Sequence, residues 1–102
     1  MNRKEFLKRE LEDNPNDPLN YYMLALEHKK DNEVLTSKSY FTNLLLNFES
    51  YIPTYYTYAS YLIELGDELV AEEILKKGLE VAKASNHQKA ALEIQGLMDL
   101  YF

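Results

Sequence analysis

A chain of 102 residues, 46% apolar and 27% charged, has the make-up of one soluble globular domain rather than a disordered segment. Eleven basic and seventeen acidic residues leave a net charge of −6, which opposes non-specific phosphate binding, and the lack of cysteine excludes disulfides and thiolate metal sites. No apolar run approaches the ~20 residues of a membrane span. The opening Met1–Glu10 mixes bases with acids and leads into no apolar stretch, so no signal peptide is expected and cytoplasmic residence is.

Three glycines and three prolines punctuate six predicted helices. The first runs from about Arg3 to Glu12, with Asn2 and Glu5 at capping-box spacing and a narrow stripe of Phe6, Leu7 and Leu11. Asn14-Pro15-Asn16-Asp17-Pro18 breaks it; Asp17 suits the cap and Pro18 the first turn of a second helix reaching Lys30. Tyr21, Leu24, Ala25 and His28 share one face of that helix. Asp31-Asn32 turns the chain, with Asn32 as a cap, into a third helix over Glu33–Phe48 that buries Ser37, Phe41, Leu44, Leu45 and Phe48. Pro53 opens a fourth helix to about Leu65. Gly66 closes it in the left-handed conformation, and Asp67 caps a fifth that ends near Ala84. Ser85 and Gln88 form a capping box for a sixth.

Tyr21, Leu24, Ala25, His28 return 34 residues later as Tyr55, Tyr58, Ala59, Leu62, and Ser37, Phe41, Leu44, Leu45 as Ala71, Leu75, Gly78, Leu79. Asp17 and Ser85 stand twice that period apart. A fixed period of this length implies a stack of like units, each covering its neighbour's apolar face.

This pattern resembles the tetratricopeptide repeat, a pair of antiparallel helices. The slots of its first helix match Tyr21, Leu24, Ala25, His28 and Tyr55, Tyr58, Ala59, Leu62; those of its second match Ala71, Leu75, Gly78 well and Ser37, Phe41, Leu44 less well, Leu44 being large for its slot. Gly66-Asp67 fits the inter-helix turn and Pro15 the closing proline. More narrowly, the chain looks like the short, stand-alone bacterial members. The resemblance implies an all-α, right-handed α-solenoid of antiparallel helix pairs in one domain of residues 1–102. Its parts are a half-repeat helix at 3–12, repeats at 18–49 and 52–84, and a capping helix at 86–102. Ala25 and Ala59 then mark the close approach within a repeat, Ala71 and Gly78 that between repeats.

What the family implies is protein–protein recognition by a non-catalytic adaptor, through a concave groove lined by the first helices. The groove positions are Leu19, Tyr22, Met23, Leu26 and Lys29 on the second helix, and Pro53, Tyr56, Thr57, Ser60 and Ile63 on the fourth, with Tyr22 and Tyr56 side by side. The family's carboxylate clamp of Lys, Asn and Arg is missing: Tyr22, Leu26, Tyr56 and Ser60 stand in comparable places, so a chaperone-tail ligand is not expected. The partner is a protein or peptide, with no nucleic acid, membrane, metal or cofactor. The tyrosine cluster from Tyr51 to Tyr61 lacks the basic stripe of a base-stacking surface. His28 reads as a hydrogen-bonded core ring and His87 as exposed; no metal motif, nucleophile motif or phosphate loop occurs, and Glu72, Glu73 and Glu80 read as a solvated face.

Lys89, Glu93 and Gly96 fall where the repeats bury Tyr, Ala and Leu or His. The last helix is therefore expected in a rotated register on Ala91, Ile94, Met98 and Tyr101, covering the fifth helix or pairing with a second copy. A monomer is favoured; the alternative is a self-associating module that dimerises through this apolar helix or the groove.

Overall fold

Helix starts and stops follow from a few polar side chains and left-handed residues. The computed structural model describes residues 2–102. Among these it holds α1 (Arg3–Asp13), α2 (Pro18–Lys30), α3 (Val34–Asn47), α4 (Pro53–Glu64), α5 (Glu68–Ala84) and α6 (Gln88–Tyr101), with no strand. The Asn2 side chain accepts the Glu5 N–H at 2.9 Å and starts α1. Asp17 accepts the Leu19 N–H at 3.0 Å, and Pro18 fills the first turn of α2, where its missing N–H costs nothing.

The two turns at α2–α3 and α4–α5 are built alike, 34 residues apart. Asn32 and Gly66 take φ of 58° and 84°. Glu33 N–H donates to the His28 carbonyl at 2.9 Å, and Asp67 N–H to the Leu62 carbonyl at 2.8 Å. The left-handed residues donate to Lys29 and Ile63, both at 3.0 Å. This pairing satisfies carbonyls that a helix end leaves open, and only Gly, or a residue like Asn, enters the left-handed region cheaply. Asn86 (φ 60°) ends α5 the same way, with His87 N–H on the Ala82 carbonyl at 2.8 Å.

Three expected caps are corrected by these turns. Asn32 closes α2 rather than opening α3. Asp67 stands at the start of α5, but its side chain makes no capping hydrogen bond. The Ser85 hydroxyl donates back to the Val81 carbonyl at 2.8 Å, so it finishes α5, and α6 begins after His87 without a side-chain cap. A serine one residue past a helix finds unpaired carbonyls behind it before it finds free N–H groups ahead.

The helices group into two bodies, one of α1–α3 ending at Tyr51 and one of α4–α6 beginning at Ile52. In the first, α2 and α3 form a hairpin and α1 packs on α2. Leu7, Leu24, Ala25, Phe41 and Leu44 are buried, and the buried Ser37 hydroxyl donates to the Ala25 carbonyl at 2.8 Å. The small residues of the two helices thus meet, as close packing requires. Leu45 and Phe48 are only half-buried.

In the second body α4 and α5 form the hairpin, and α6 packs on α5 and less extensively on α4. Tyr55, Tyr58, Ala59, Leu62, Ala71, Leu75 and Ile94 are buried. At Gly78 α5 comes close against α4 and α6. A Cβ there would lie 2.5 Å from Tyr55 Cβ, 2.7 Å from Tyr55 Cγ and 3.2 Å from Ile94 Cδ1. The glycine therefore serves the contact inside its own repeat as well as that with the following helix, where only the latter was expected. The register of α6 is rotated as anticipated, but it buries Leu97 beside Ile94 and leaves Tyr101 half exposed. Contact with α4 as well as α5 draws the buried stripe toward Leu97, away from the last helical residue.

α1 buries a single side chain, Leu7, and is otherwise held by charge. Arg3 Nε meets Glu27 Oε1 at 2.7 Å, and Lys4 Nζ meets Asp31 Oδ2 at 2.6 Å and pairs with Glu33. Hydrogen bonding to Lys4 holds the Asp31 carboxyl below its ordinary value; Lys4, and then His28, do so for Glu33. The same bonds, with Asp31 first, raise Lys4. Depressed carboxyls contribute stability above their unfolded values and lose it as pH falls through the folded ones. The raised ammonium contributes fully below its unfolded value and loses its share only at strongly alkaline pH. Residues 3–13 should therefore lose helical chemical shifts in NMR spectra on acidification below about pH 4, ahead of α5. Simultaneous loss in both helices would show that these pairs do not hold α1.

Candidate protein-interaction surfaces

On α2, one face is consumed by the core: Asn20, Leu24, Ala25 and His28 are buried. The adjacent face carries Leu19, Tyr22, Met23, Leu26 and Lys29. Leu19 is 48% exposed, and the other four are half-buried. Tyr22 is fixed from within its own body. Its ring lies edge-on to Phe41, with centroids 6.4 Å apart, and to Tyr51 at 5.6 Å. Burial pushes the Tyr51 phenol above its ordinary value, so its hydroxyl is neutral across the physiological range. A ring held on two sides is preorganised, but it belongs partly to the fold.

On α4 the same division holds. Thr54, Tyr55, Tyr58, Ala59, Tyr61 and Leu62 are buried. Tyr56 is 41% exposed; Thr57, Ser60 and Ile63 are half-buried, and Pro53 is exposed. Tyr56 is the best-presented aromatic of the predicted set, an apolar ring with a polar tip on a rigid helix. The α2 residues belong to the first body and the α4 residues to the second.

His28 is buried as a core ring, stacked on Tyr40 at 5.5 Å with 14° between planes. Its Nδ1–H donates to Glu33 Oε1 at 3.1 Å, while Nε2 is buried with no hydrogen-bond partner. A carboxylate only accepts, so the proton of this contact sits on Nδ1. The ring ties the end of α2 to Glu33, and through Glu33 to Lys4 of α1. His87 is exposed, with Nδ1 3.0 Å from the Ser85 hydroxyl. Among the described residues no three His, Cys, Asp or Glu side chains converge as a metal site. None of the described helices is long and apolar enough to cross a membrane.

No family model matches the sequence, and neither curated proteins nor solved structures give a match.

One surface was only partly legible from sequence. Leu79, Lys83, Gln88, Ala91, Leu92 and Gln95 line a shallow, mainly apolar hollow of about 390 Å³ between α5 and α6. The rotated register of α6 signals it, since rotation takes Leu92 off the core face and leaves it 74% exposed.

Proposed function

We propose that this chain is a non-catalytic protein-interaction module of the tetratricopeptide kind, which recognises a protein partner with the face of α4 beside the core in one body and the like face of α2 in the other. The observation that carries the reading is the presentation of Tyr56. It stands 41% exposed one position after the buried Tyr55, on a helix whose opposite side is locked into the core. Leu19 gives α2 a similar apolar projection. Rigid helix faces with an aromatic anchor and small polar neighbours such as Ser60 and Thr57 suit an extended peptide or an amphipathic helix.

The reading is tested by affinity capture from the native cell with wild type, Tyr56→Ala, and Tyr56→Ala combined with Leu19→Ser. Both sites are surface-exposed, so the helical circular dichroism should not change. Tyr56→Ala should weaken binding of the captured partner by about 1–2 kcal/mol, tenfold or more, by calorimetry. Equal affinity in all three proteins would defeat the assignment. Tyr22→Ala is the poorer probe, because the ring supports Phe41 and Tyr51.

A further inference from the structure

Gly96 has no use within its own chain. It lies mid-helix in α6, is exposed, and a Cβ added there would meet nothing within 4 Å. It makes no turn and admits no neighbouring helix of this chain, yet a glycine inside a helix weakens it. One turn before it stands Leu92, 74% exposed, and one turn after it Leu100, 72% exposed. The three residues form a stripe along the outer face of α6, opposite the buried Ile94 and Leu97. The stripe reads the same in both directions: leucine, three residues, glycine, three residues, leucine.

We propose that the occupant of this stripe is a second copy of the chain, with α6 packed antiparallel on α6 about a two-fold axis through Gly96. A two-fold interface must complement itself, and this pattern does. In that crossing the two glycines meet at the point of closest approach, and Leu92 of each copy lies opposite Leu100 of the other. The last turn, with Phe102 at 45% exposure, comes level with Ala90 and Ala91 of the other copy, at the mouth of the apolar hollow beside Leu92. Glu93 and Asp99 fall on opposite edges of the stripe, so neither carboxylate lies in its centre, and Lys89 stands one turn before Glu93.

The exposed apolar surface sets the strength. Leu92, Leu100 and Phe102 together leave on the order of 350 Å² of apolar side chain open on each copy, given side chains of about 150–250 Å². Two copies then bury about 700 Å² of it, less than a stable specific interface covers. The dimer is therefore weak and reversible. The inference is independent of the α2 and α4 faces, which take no part in it.

The experiment is sedimentation velocity from about 5 μM to 1 mM, together with cysteine cross-linking, which the cysteine-free chain makes clean. A disulfide requires Cα atoms within about 7 Å. Gly96→Cys should cross-link to itself under mild oxidation, and far faster than Lys76→Cys on the exposed face of α5. Leu92→Cys should not pair with itself, but should pair with Leu100→Cys when the two variants are mixed. Leu92→Glu and Leu100→Glu should each raise the dissociation constant at least tenfold with unchanged helical circular dichroism. Gly96→Gln should weaken the dimer while raising the melting temperature of the dilute protein, a pairing of signs that loss of fold would not produce. A chain monomeric at 1 mM, a dimer indifferent to the glutamates, or Gly96→Cys no faster than the α5 control would each overturn the proposal.

Discussion

Gly78→Leu should destabilise the protein by at least about 3 kcal/mol, the upper end of the usual cost of forcing extra carbon into a packed core. The leucine is not an arbitrary choice, because Leu44 occupies the corresponding position 34 residues earlier and is fully buried there. At Gly78 the first side-chain atom already falls 2.5 Å from Tyr55 Cβ. Tyr55 cannot yield by rotation, since the contact is at the root of its side chain; α4 or α5 must move. Thermal or urea unfolding by circular dichroism measures the effect. The contrast is Gly96→Ala, which meets nothing and should stabilise the dilute protein by up to about 1 kcal/mol through helix propensity. If both glycine substitutions changed stability in the same direction, the packing at Gly78 would be wrong. Gly78→Ala and Tyr55→Ala should also couple: the alanine at 78 should cost less by about 0.5–3 kcal/mol once the ring is gone, as for residues in direct contact.

Leu44→Gly, the reverse exchange in the first body, should cost about 3–6 kcal/mol. Truncating a buried leucine to alanine loses about 2–5 kcal/mol to transfer and cavity, and glycine in place of alanine adds about 1 kcal/mol. The reciprocal pair explains why two equivalent tyrosines differ. Where Gly78 vacates the slot, Tyr55 fills it and is 1% exposed. Where Leu44 occupies the slot, Tyr21 remains half-buried against Phe48 at 5.3 Å, and its hydroxyl donates to the Pro15 carbonyl at 3.1 Å. The second body seats a tyrosine against a glycine; the first carries two large residues at the same pair of positions, and the leucine takes the core while the tyrosine stays half-buried. A loss below about 1 kcal/mol for Leu44→Gly would contradict this account, being less than truncation of a buried leucine costs.

Much of the fold was legible in the chain. Pro18, Pro53, Gly66 and Asp17 bounded helices to within a residue or two, because each acts through its own backbone chemistry and needs no distant partner. The apolar spacing identified most of the buried faces of α2 through α5, since a helix has one periodicity and only its apolar stripe can enter a core. Caps were harder to read. Ser85 has a choice between the helix behind and the helix ahead, and the choice rests on which backbone groups lie open. The predicted interaction residues were placed beside the core by the same periodicity, but their separate duties were hidden: Tyr22 braces Phe41 and Tyr51, while Tyr56 does not brace its own body in this way.

The sequence alone determined the helical class, the helix boundaries and the 34-residue equivalence of the two hairpins, because local backbone preferences and apolar period are properties of neighbouring residues. Only the tertiary structure decided what the glycines are for. The 34-residue pattern marked Gly78 as a point of close approach between repeats and Gly96 as out of register, but it did not show that one is pressed against Tyr55 of its own hairpin and the other faces open space. The difference is set by which helix passes over them, a matter of contacts between residues far apart in the chain.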